Sequence, residues 1–305
     1  MVELFAIVLP VFGLIGIGYA ARLTGFVSER AGEGLSEFVF TLSLPCLIFR
    51  TLVRAEIPAV QPWGYWISYF AGVAVVWLLA SWTGKRFFGV KGVSGVVAGF
   101  AAGQANTVFV GVPMILKAYG DAGAVPLFLL IAVHLPVTMT LATILAEGRQ
   151  ASPLMILRRL FTHPIVVGIL AGSAFRPVAG HVPAPVWQVM DLLASAAVPC
   201  ALISMGIALR RYGMQTGWKL PTLISFLKLV VHPLVVLLLA TLVFDMPPVW
   251  AGVAVLFASC PSGINAYLFA ERYGEGVALA SSAVTLSTFL ALGTTVAWLY
   301  VLGVG

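Results

Sequence analysis

Long apolar stretches alternate with short polar segments along this sequence. A helix needs roughly 20 mainly apolar residues to cross the hydrocarbon core of a bilayer. The pattern predicts ten such spans, at residues 4–22, 33–53, 63–83, 93–116, 123–146, 160–176, 187–209, 220–243, 248–270 and 277–302. We therefore expect an all-α polytopic membrane protein with ten transmembrane helices.

Composition agrees with a chain that is surrounded by lipid. Hydrophobic residues make up 61% of the chain and charged residues only 9%, and the mean hydropathy is +1.05. A soluble domain needs far more charge on its surface. The net charge of +6 would suggest nucleic-acid binding in a soluble protein. Here the basic residues stand singly or in pairs between apolar runs, so we expect no nucleic-acid partner and a multi-pass location in the plasma (inner) membrane.

The basic residues also predict an orientation. Cytoplasmic loops of membrane proteins carry an excess of Lys and Arg. With the N-terminus outside, the inside segments hold Arg22, Arg30, Lys85, Arg86, Lys91, Arg149, Arg158, Arg159, Arg210, Arg211, Lys219 and Arg272. The outside segments hold Arg50, Arg54, Lys117 and Arg176. This bias predicts that both termini lie outside.

Motifs of enzymes and metal sites are absent from the sequence. There is no His-Glu-x-x-His, no Gly-x-Ser-x-Gly and no pair of acids in the middle of a span. Cys46, Cys200 and Cys260 lie inside apolar runs and show neither metal nor redox spacing. We expect no metal, no cofactor and no enzymatic activity.

Matched residues at a constant separation of 154 indicate an internal repeat. The pairs are Pro45 and Pro199 with a cysteine after each, Glu37 and Asp191, Pro10 and Pro164, and Gly18 and Gly172. Five spans in each half is an odd number, so the second half enters the membrane from the opposite side, as in many secondary transporters. We predict one transporter domain with inverted repeats at 1–146 and 160–305, joined by a cytoplasmic link at 147–159.

The fourth and ninth spans contain residues that break helices. The chain has two asparagines, Asn106 and Asn265, and they fall in these two equivalent spans. Asparagine is unfavourable in a helix interior and costly in hydrocarbon unless its amide is satisfied. The flanking helix-breaking residues are Gly103, Gly111 and Pro113 in span 4, and Pro261 and Gly263 in span 9. Glycine and proline both favour departure from helical geometry, so we predict that the two helices unwind and cross near mid-membrane.

Unwound helices would create a binding site for an anion. Half-helix N-termini carry free N–H groups and partial positive charge, which suit a carboxylate. The residues predicted to bind substrate are Gln104, Asn106, Thr107, Ser262, Gly263 and Asn265. The alternative is that the two asparagines only hold helices together.

Three titratable residues well inside predicted spans are candidates for a charge partner or a proton site. Lys228 is a counter-charge for a carboxylate, or it snorkels towards the inner face. His232 follows it by one helical turn. His134, near the middle of span 5, is a proton carrier or a structural histidine. No Asp or Glu falls in mid-span, which argues against a buried carboxylate relay and weakens a sodium-coupled mechanism.

Three segments carry a resemblance to a known family. These are Leu-Pro-Cys-Leu-Ile-Phe at 44–49, Asn-Thr-x-x-x-Gly-x-Pro at 106–113, and Pro-Ser-Gly-Ile-Asn-Ala-Tyr-Leu-Phe-Ala-Glu-Arg-Tyr at 261–273. They resemble the auxin efflux carrier family, within the bile acid and auxin transporter superfamily, over nearly the whole chain. The short link at 147–159 is typical of bacterial members of the malate and malonate permease type. Ala266 stands where plant carriers have a second proline, so auxin is not the expected substrate.

The resemblance implies a fold and a mechanism. Spans 4 and 9 would cross in an X, and spans 3–5 and 8–10 would move against a scaffold of spans 1, 2, 6 and 7. Pro45 and Pro199 would break the scaffold helices. The implied function is secondary transport of small organic acids by alternating access, by export or uniport. A sodium symporter of the bile-acid type, an intramembrane enzyme and a channel remain alternatives, and a homodimer remains open.

Overall fold

The computed structural model describes residues 2–54, 63–148, 162 and 164–304. The helices that precede the predicted link are α1 (Val2–Leu23), α2 (Glu29–Phe38), α3 (Leu44–Arg54), α4 (Trp63–Phe88), α5 (Gly92–Gly103), α6 (Val112–Tyr119) and α7 (Ala124–Glu147). Those that follow it are α8 (Pro164–Phe175), α9 (Ala184–Tyr212), α10 (Lys219–Phe226), α11 (His232–Leu238), α12 (Pro248–Ser259), α13 (Ile264–Tyr273) and α14 (Val277–Val301). The all-α prediction is confirmed for this part of the chain.

Within the described residues, seven helical stretches are long and apolar enough to cross a membrane. They are Leu4–Leu23, Glu29–Arg54, Trp63–Phe88, Thr107–Glu147, Ala184–Tyr212, Lys219–Val243 and Val277–Val301. The other three predicted spans differ for identifiable reasons. Spans 4 and 9 are interrupted helices whose longer parts have 12 residues each, and span 6 begins among residues outside the described ranges. Ten spans and outward-facing termini therefore stay predictions, and most of the 147–159 link, with Arg149, Arg158 and Arg159, lies outside the described residues.

The stretch Thr107–Glu147 contains a reversal. Its 41 residues would extend about 60 Å as one helix, twice the thickness of the hydrocarbon core. A 3₁₀ turn at Gly120–Gly123 divides it into α6 and α7, and Gly120 has a φ of 55°, which only glycine adopts without strain. The stretch thus holds the second part of predicted span 4 followed by span 5.

Three helices contain a π-helical turn shortly before a proline. The turns are Val39–Ser43, Thr107–Gly111 and Leu227–Val231, and Pro45, Pro113 and Pro233 follow each by two residues. A proline has no N–H for the carbonyl four residues earlier. In each case the residue before the proline donates instead to the carbonyl five residues back, which is the π-helical pattern.

Pro45 and Pro199 do not break their helices, contrary to the prediction. Helix α9 continues through Pro199 from Ala184 to Tyr212, and Pro45 lies at the second position of α3, after the π-helical turn. A proline inside a helix forfeits one hydrogen bond, and in a membrane neighbouring helices can compensate for this. The close packing of α9 on α1 and of α3 on α8 provides such neighbours.

Glycines allow these two helix pairs to touch at the backbone. A Cβ atom placed on Gly18 of α1 would lie 2.2 Å from the carbonyl oxygen of Ile203 on α9. A Cβ atom on Gly172 of α8 would lie 2.9 Å from the carbonyl oxygen of Phe49 on α3. Gly172 follows Gly18 by 154 residues, and Ile203 follows Phe49 by 154 residues, which is the separation of the sequence repeat.

Charged side chains cluster at two helix ends. Asp191 of α9 accepts a hydrogen bond from Arg50 of α3 at 3.1 Å, and Arg54 lies 3.7 Å from the same oxygen. The sequence predicts all three residues on the outer side. Arg211 pairs with Glu29, Glu33 and Glu271, which are all predicted on the inner side. The acids in these clusters are partly exposed ion-pair partners.

Candidate functional site

Two interrupted helices lie against one another in the interior of the protein. Helix α5 ends at Gly103, and Gln104 has extended backbone angles (φ −88°, ψ 126°). Helix α12 ends at Ser259, and Cys260 is also extended (φ −57°, ψ 146°). Residues 104–106 and 260–263 form the two breaks, as the positions of the asparagines, glycines and prolines predict.

The breaks satisfy each other's backbone groups. Ala105 and Ser262 form an antiparallel β-bridge. The amide of Asn106 donates to the carbonyl of Pro261 at 2.8 Å, and the amide of Gly263 donates to the carbonyl of Gln104 at 3.0 Å. Unwound backbone at membrane depth is stable only if it is paired in this way or lines a wet cavity. We call this pair of bonded segments the crossover.

Side chains from two flanking helices satisfy the amides at the bridge. The amide of Ala105 donates to Nε2 of His134 on α7 at 3.2 Å, and the amide of Ser262 donates to Oγ of Ser287 on α14 at 3.0 Å. These helices are the fifth span of each predicted repeat, so the two halves support the crossover in the same manner.

His134 is engaged at both ring nitrogens. Because Nε2 accepts from Ala105, the proton of the neutral ring is on Nδ1, which lies 3.0 Å from the hydroxyl oxygen of Tyr69. The ring is fully buried. This geometry supports the structural alternative for His134, and proton transfer by this residue stays a prediction.

We expect His134→Ala to weaken the crossover. The substitution leaves the buried amide of Ala105 without an acceptor, which typically costs about 1–3 kcal/mol. Thermal unfolding of the purified protein should show reduced stability, together with weaker substrate binding. Tyr69→Phe is the matched control, because it removes the hydrogen bond at Nδ1 and leaves the bond to Ala105 in place. Equal stability of His134→Ala and wild type would contradict this role.

Glycines permit the close approach of the two segments. A Cβ atom on Gly263 would lie 1.6 Å from Oε1 of Gln104 and 2.9 Å from the carbonyl oxygen of Ala105. One on Gly111 would lie 3.2 Å from Sγ of Cys260. Gly103 packs on Trp77, where a Cβ would lie 3.0 Å from the indole ring. Gly263, Gly111 and Gly103 thus act through packing.

Three predicted substrate-binding side chains keep hydrogen-bonding capacity. Asn106 donates only a weak bond, from Nδ2 to Sδ of Met205 on α9 at 3.4 Å. Neither the hydroxyl of Thr107 nor the half-buried amide of Asn265 hydrogen-bonds to any residue that the structure describes. Asn265 lies in the first turn of α13, where backbone N–H groups lack helical partners.

The Ser262 side chain stabilises the crossover, and that of Gln104 packs against it. The hydroxyl of Ser262 donates to the carbonyl of Ala101 on α5 at 2.7 Å. The amide of Gln104 lies against Gly263, and its Oε1 is buried without a hydrogen-bond partner in the described part of the chain. The hydroxyl of Ser262 is therefore less available to a ligand than Asn106, Thr107 and Asn265, whereas the buried amide of Gln104 forms no hydrogen bond to the described residues.

Lys228 does not snorkel to a membrane surface. It lies in the π-helical turn Leu227–Val231, and its side chain is fully buried. Nζ donates to the carbonyl of Ala258 near the end of α12 and lies 3.2 Å from Nδ1 of His232. The ammonium group thus lies at the end of a broken helix.

A narrow apolar gap, with no room for a water molecule, lies beside the crossover, between α3, α6 and α9. It is lined by Leu44, Leu47, Val108, Val112, Pro113, Ala197, Val198 and Ala201. Nearby, the rings of Phe40 and Phe109 pack edge to face at 5.2 Å. The predicted scaffold and the predicted moving bundle therefore meet here through apolar contacts. A second cavity, of about 810 Å³, opens between the loops around 88–94, 216–220 and 274–279 and contains no crossover residue.

No group of three or more His, Cys, Asp or Glu residues is arranged to hold a metal ion in the ranges searched, which are the described ones. The residues that sequence analysis missed are Tyr69, Met205, Ser287 and the carbonyl of Ala258. Met205 and Ser287 lie in apolar spans without a distinctive motif, and a carbonyl group carries no sequence signal.

The sequence matches the family described as membrane transport protein over residues 4–299. The chain belongs to this family. The resemblance to auxin efflux carriers is thereby confirmed. Family membership and the seven candidate spans also confirm a multi-pass membrane location, which for bacterial members is the plasma membrane.

Similar proteins cover the full length of the chain. A "Putative malonate transporter" of Rhizobium meliloti is 30% identical over 100% of this chain and 98% of that protein. An "Uncharacterized transporter" of Methanothermobacter thermautotrophicus is 26% identical over 97% of each chain. The "Uncharacterized transporter MJ1031" of Methanocaldococcus jannaschii is 24% identical over 97% of this chain and 98% of that protein. All three are named as transporters, in agreement with the prediction of a non-enzyme.

Proposed function

We propose that this membrane transport protein is a secondary transporter of small organic anions and binds a carboxylate at the crossover. One observation carries the proposal: the backbones of the two breaks satisfy each other, while the polar side chains of Asn106, Thr107 and Asn265 keep free or weakly used donors. The name of the Rhizobium relative supports a carboxylate substrate for this family.

The donors at the crossover suit a carboxylate. Among the described residues, Nδ2 of Asn106 has only the thioether of Met205 as acceptor, and sulfur is a weak acceptor that a carboxylate oxygen can replace at a net gain. The half-helix α13 begins at Ile264 directly after the break, so its N-terminal amides add partial positive charge beside Asn265.

We propose that the ten predicted spans form five-plus-five inverted repeats with both termini outside. Two structural observations support this arrangement. The contact of Gly18 with Ile203 recurs as that of Gly172 with Phe49 at a separation of 154 residues. The support of Ala105 by His134 recurs as the support of Ser262 by Ser287. Repeats at 1–146 and 160–305 then make up one transporter domain.

The apolar contact of the two predicted bundles beside the crossover supports alternating access. The gap beside Pro113 and the contact of Asn106 with Met205 contain no ion pair, whereas the pair of Arg211 with Glu271 at the predicted inner side would have to open when the surfaces slide. Small apolar side chains such as Ala197 and Ala201 line the α9 side of this gap. A carboxylate bound at the crossover would travel with the bundle of spans 3–5 and 8–10 past this surface.

Currents from proteoliposomes on a solid-supported membrane test the proposal. Mono- and dicarboxylates are offered at two pH values, with and without sodium, in parallel with exchange of labelled acids to detect electroneutral transport. We expect a saturable signal for at least one acid without sodium, lost in Asn106→Ala and absent from empty liposomes. A signal only with sodium would establish a symporter, and silence in both assays would contradict an organic-anion carrier.

A further inference from the structure

Lys228 is a buried cation that the proposed carboxylate site does not use. Its side chain is fully inaccessible, in a stretch that is apolar enough to span a membrane. Insertion scales place the cost of a lysine at the centre of a membrane helix at about 2.5–3.5 kcal/mol. Such a cost is offset when the charge has a specific partner.

The partner is the end of a broken helix. Ala258 is the residue before the last one of α12, and its carbonyl accepts a hydrogen bond from Nζ of Lys228. In a continuous helix that carbonyl would accept from the amide of Ser262. The break turns this amide towards Ser287 instead, so the carbonyl of Ala258 is released. Lys228 fills the place of the missing donor.

The end of α12 favours a positive charge at this point. The C-terminal end of a helix carries a partial negative charge. No carboxylate of the described ranges forms an ion pair with Lys228, and its other contact is with Nδ1 of His232 at 3.2 Å. The π-helical turn before Pro233 places the residue opposite the break. The ammonium therefore acts on the carbonyl end of α12.

In transporters with broken helices, unwound carbonyls and half-helix C-terminal ends coordinate the coupling cation. We propose that the ammonium of Lys228 is a tethered cation that occupies this position at the end of α12, and that removal of the amine leaves a site which a small free cation can fill. A transport cycle in which Lys228 replaces the coupling cation needs no sodium, and this consequence rests on the proposed transport function. The cation site itself can be tested without substrate.

Thermal unfolding in three chloride salts tests the site at constant ionic strength. The salts are sodium, ethylammonium and tetramethylammonium, of which the last is too large and too poor a donor to replace the amine. Wild type and the control Lys117→Ala, whose lysine is exposed, should melt at the same temperature in all three. Lys228→Ala should melt about 5 °C lower in tetramethylammonium and should recover saturably in ethylammonium or sodium.

Two results would overturn the proposal. One is saturable stabilisation of wild type by sodium, which would show that the coupling position is open. The other is a Lys228→Ala protein that responds equally to all three salts. If this variant does not fold, Lys228→Met keeps the length of the side chain without the charge and is tested in the same salts. The sodium titration of wild type requires no variant. Because none of these measurements uses a substrate, a failure of the cation-site proposal can be distinguished from a failure of the carboxylate-transport proposal.

Discussion

Gly206→Ala should destabilise the protein by about 3 kcal/mol, at the upper end of typical overpacking costs. The added Cβ atom would lie 2.0 Å from the carbonyl oxygen of Ile15 and 2.7 Å from the amide nitrogen of Tyr19, both on α1. These are backbone atoms, so no side chain can rotate away and the two helices must separate. Helices α1 and α9 belong to the predicted scaffold, so the loss should appear as a lower melting temperature of the purified protein.

Gly16→Ala is the matched control for Gly206→Ala. Gly16 lies on α1 close to the same helix pair, but a Cβ atom there would meet nothing within 4 Å. Alanine has the higher helix propensity, so this variant should be as stable as wild type or more stable by up to about 1 kcal/mol. A loss of stability in Gly206→Ala together with an unchanged or increased stability in Gly16→Ala would establish the backbone contact. A Gly206→Ala protein that melts with wild type would show that α1 and α9 do not cross as closely as described.

The sequence predicts the helical class well because hydropathy alone decides it. Stretches such as Trp63–Phe88 and Val277–Val301 each contain an apolar window long enough to span and match their predicted spans closely. The two breaks were also predictable, since asparagine, glycine and proline coincide there. Pro199 shows the limit of that reasoning. Proline accompanies the break after α12 at Pro261, but α9 continues through Pro199, so the outcome depends on the neighbours that pack against the helix.

The candidate site was predictable only in part. Asn106 and Asn265 were identified because polar amides are rare in hydrocarbon, and the structure leaves both without a strong partner. Ser262 is predicted to bind substrate as a hydroxyl donor beside a break, yet its hydroxyl donates to the carbonyl of Ala101. Side-chain type cannot separate these cases, because the bond to Ala101 depends on how two distant segments cross.

Buried polar groups around the crossover therefore fall into two sets. His134, Ser287 and Lys228 bind backbone atoms that the breaks release, so they account for the stability of unwound chain in an apolar interior. The side chains of Asn106 and Asn265 bind no backbone atom in the described residues and are thus the groups a ligand can recruit. This division explains why the first set should be sensitive in unfolding experiments and the second in binding experiments.

Asn106→Ala and Asn106→Asp test that division, and Asn106→Ala should fold normally. The backbone bond of Asn106 to Pro261 is independent of the side chain, and the side chain loses only a weak contact with Met205. A hydrogen bond to a charged group contributes about 1.5–3 kcal/mol, so Asn106→Ala should weaken carboxylate binding by roughly 10- to 150-fold. Asn106→Asp should weaken it further, because a second carboxylate at the same point repels the ligand.

Binding is best measured as the substrate-induced rise in melting temperature, with the substrate-free melting temperature as the check on folding. Thr288→Val is the control, since its hydroxyl donates only to Val284 within the same helix and the site should keep wild-type affinity. If Asn106→Ala binds the acid as tightly as wild type, the carboxylate does not contact this amide. If binding and stability fall together in both Asn106 variants, Asn106 belongs with the residues that hold the crossover, and Asn265 becomes the amide to test.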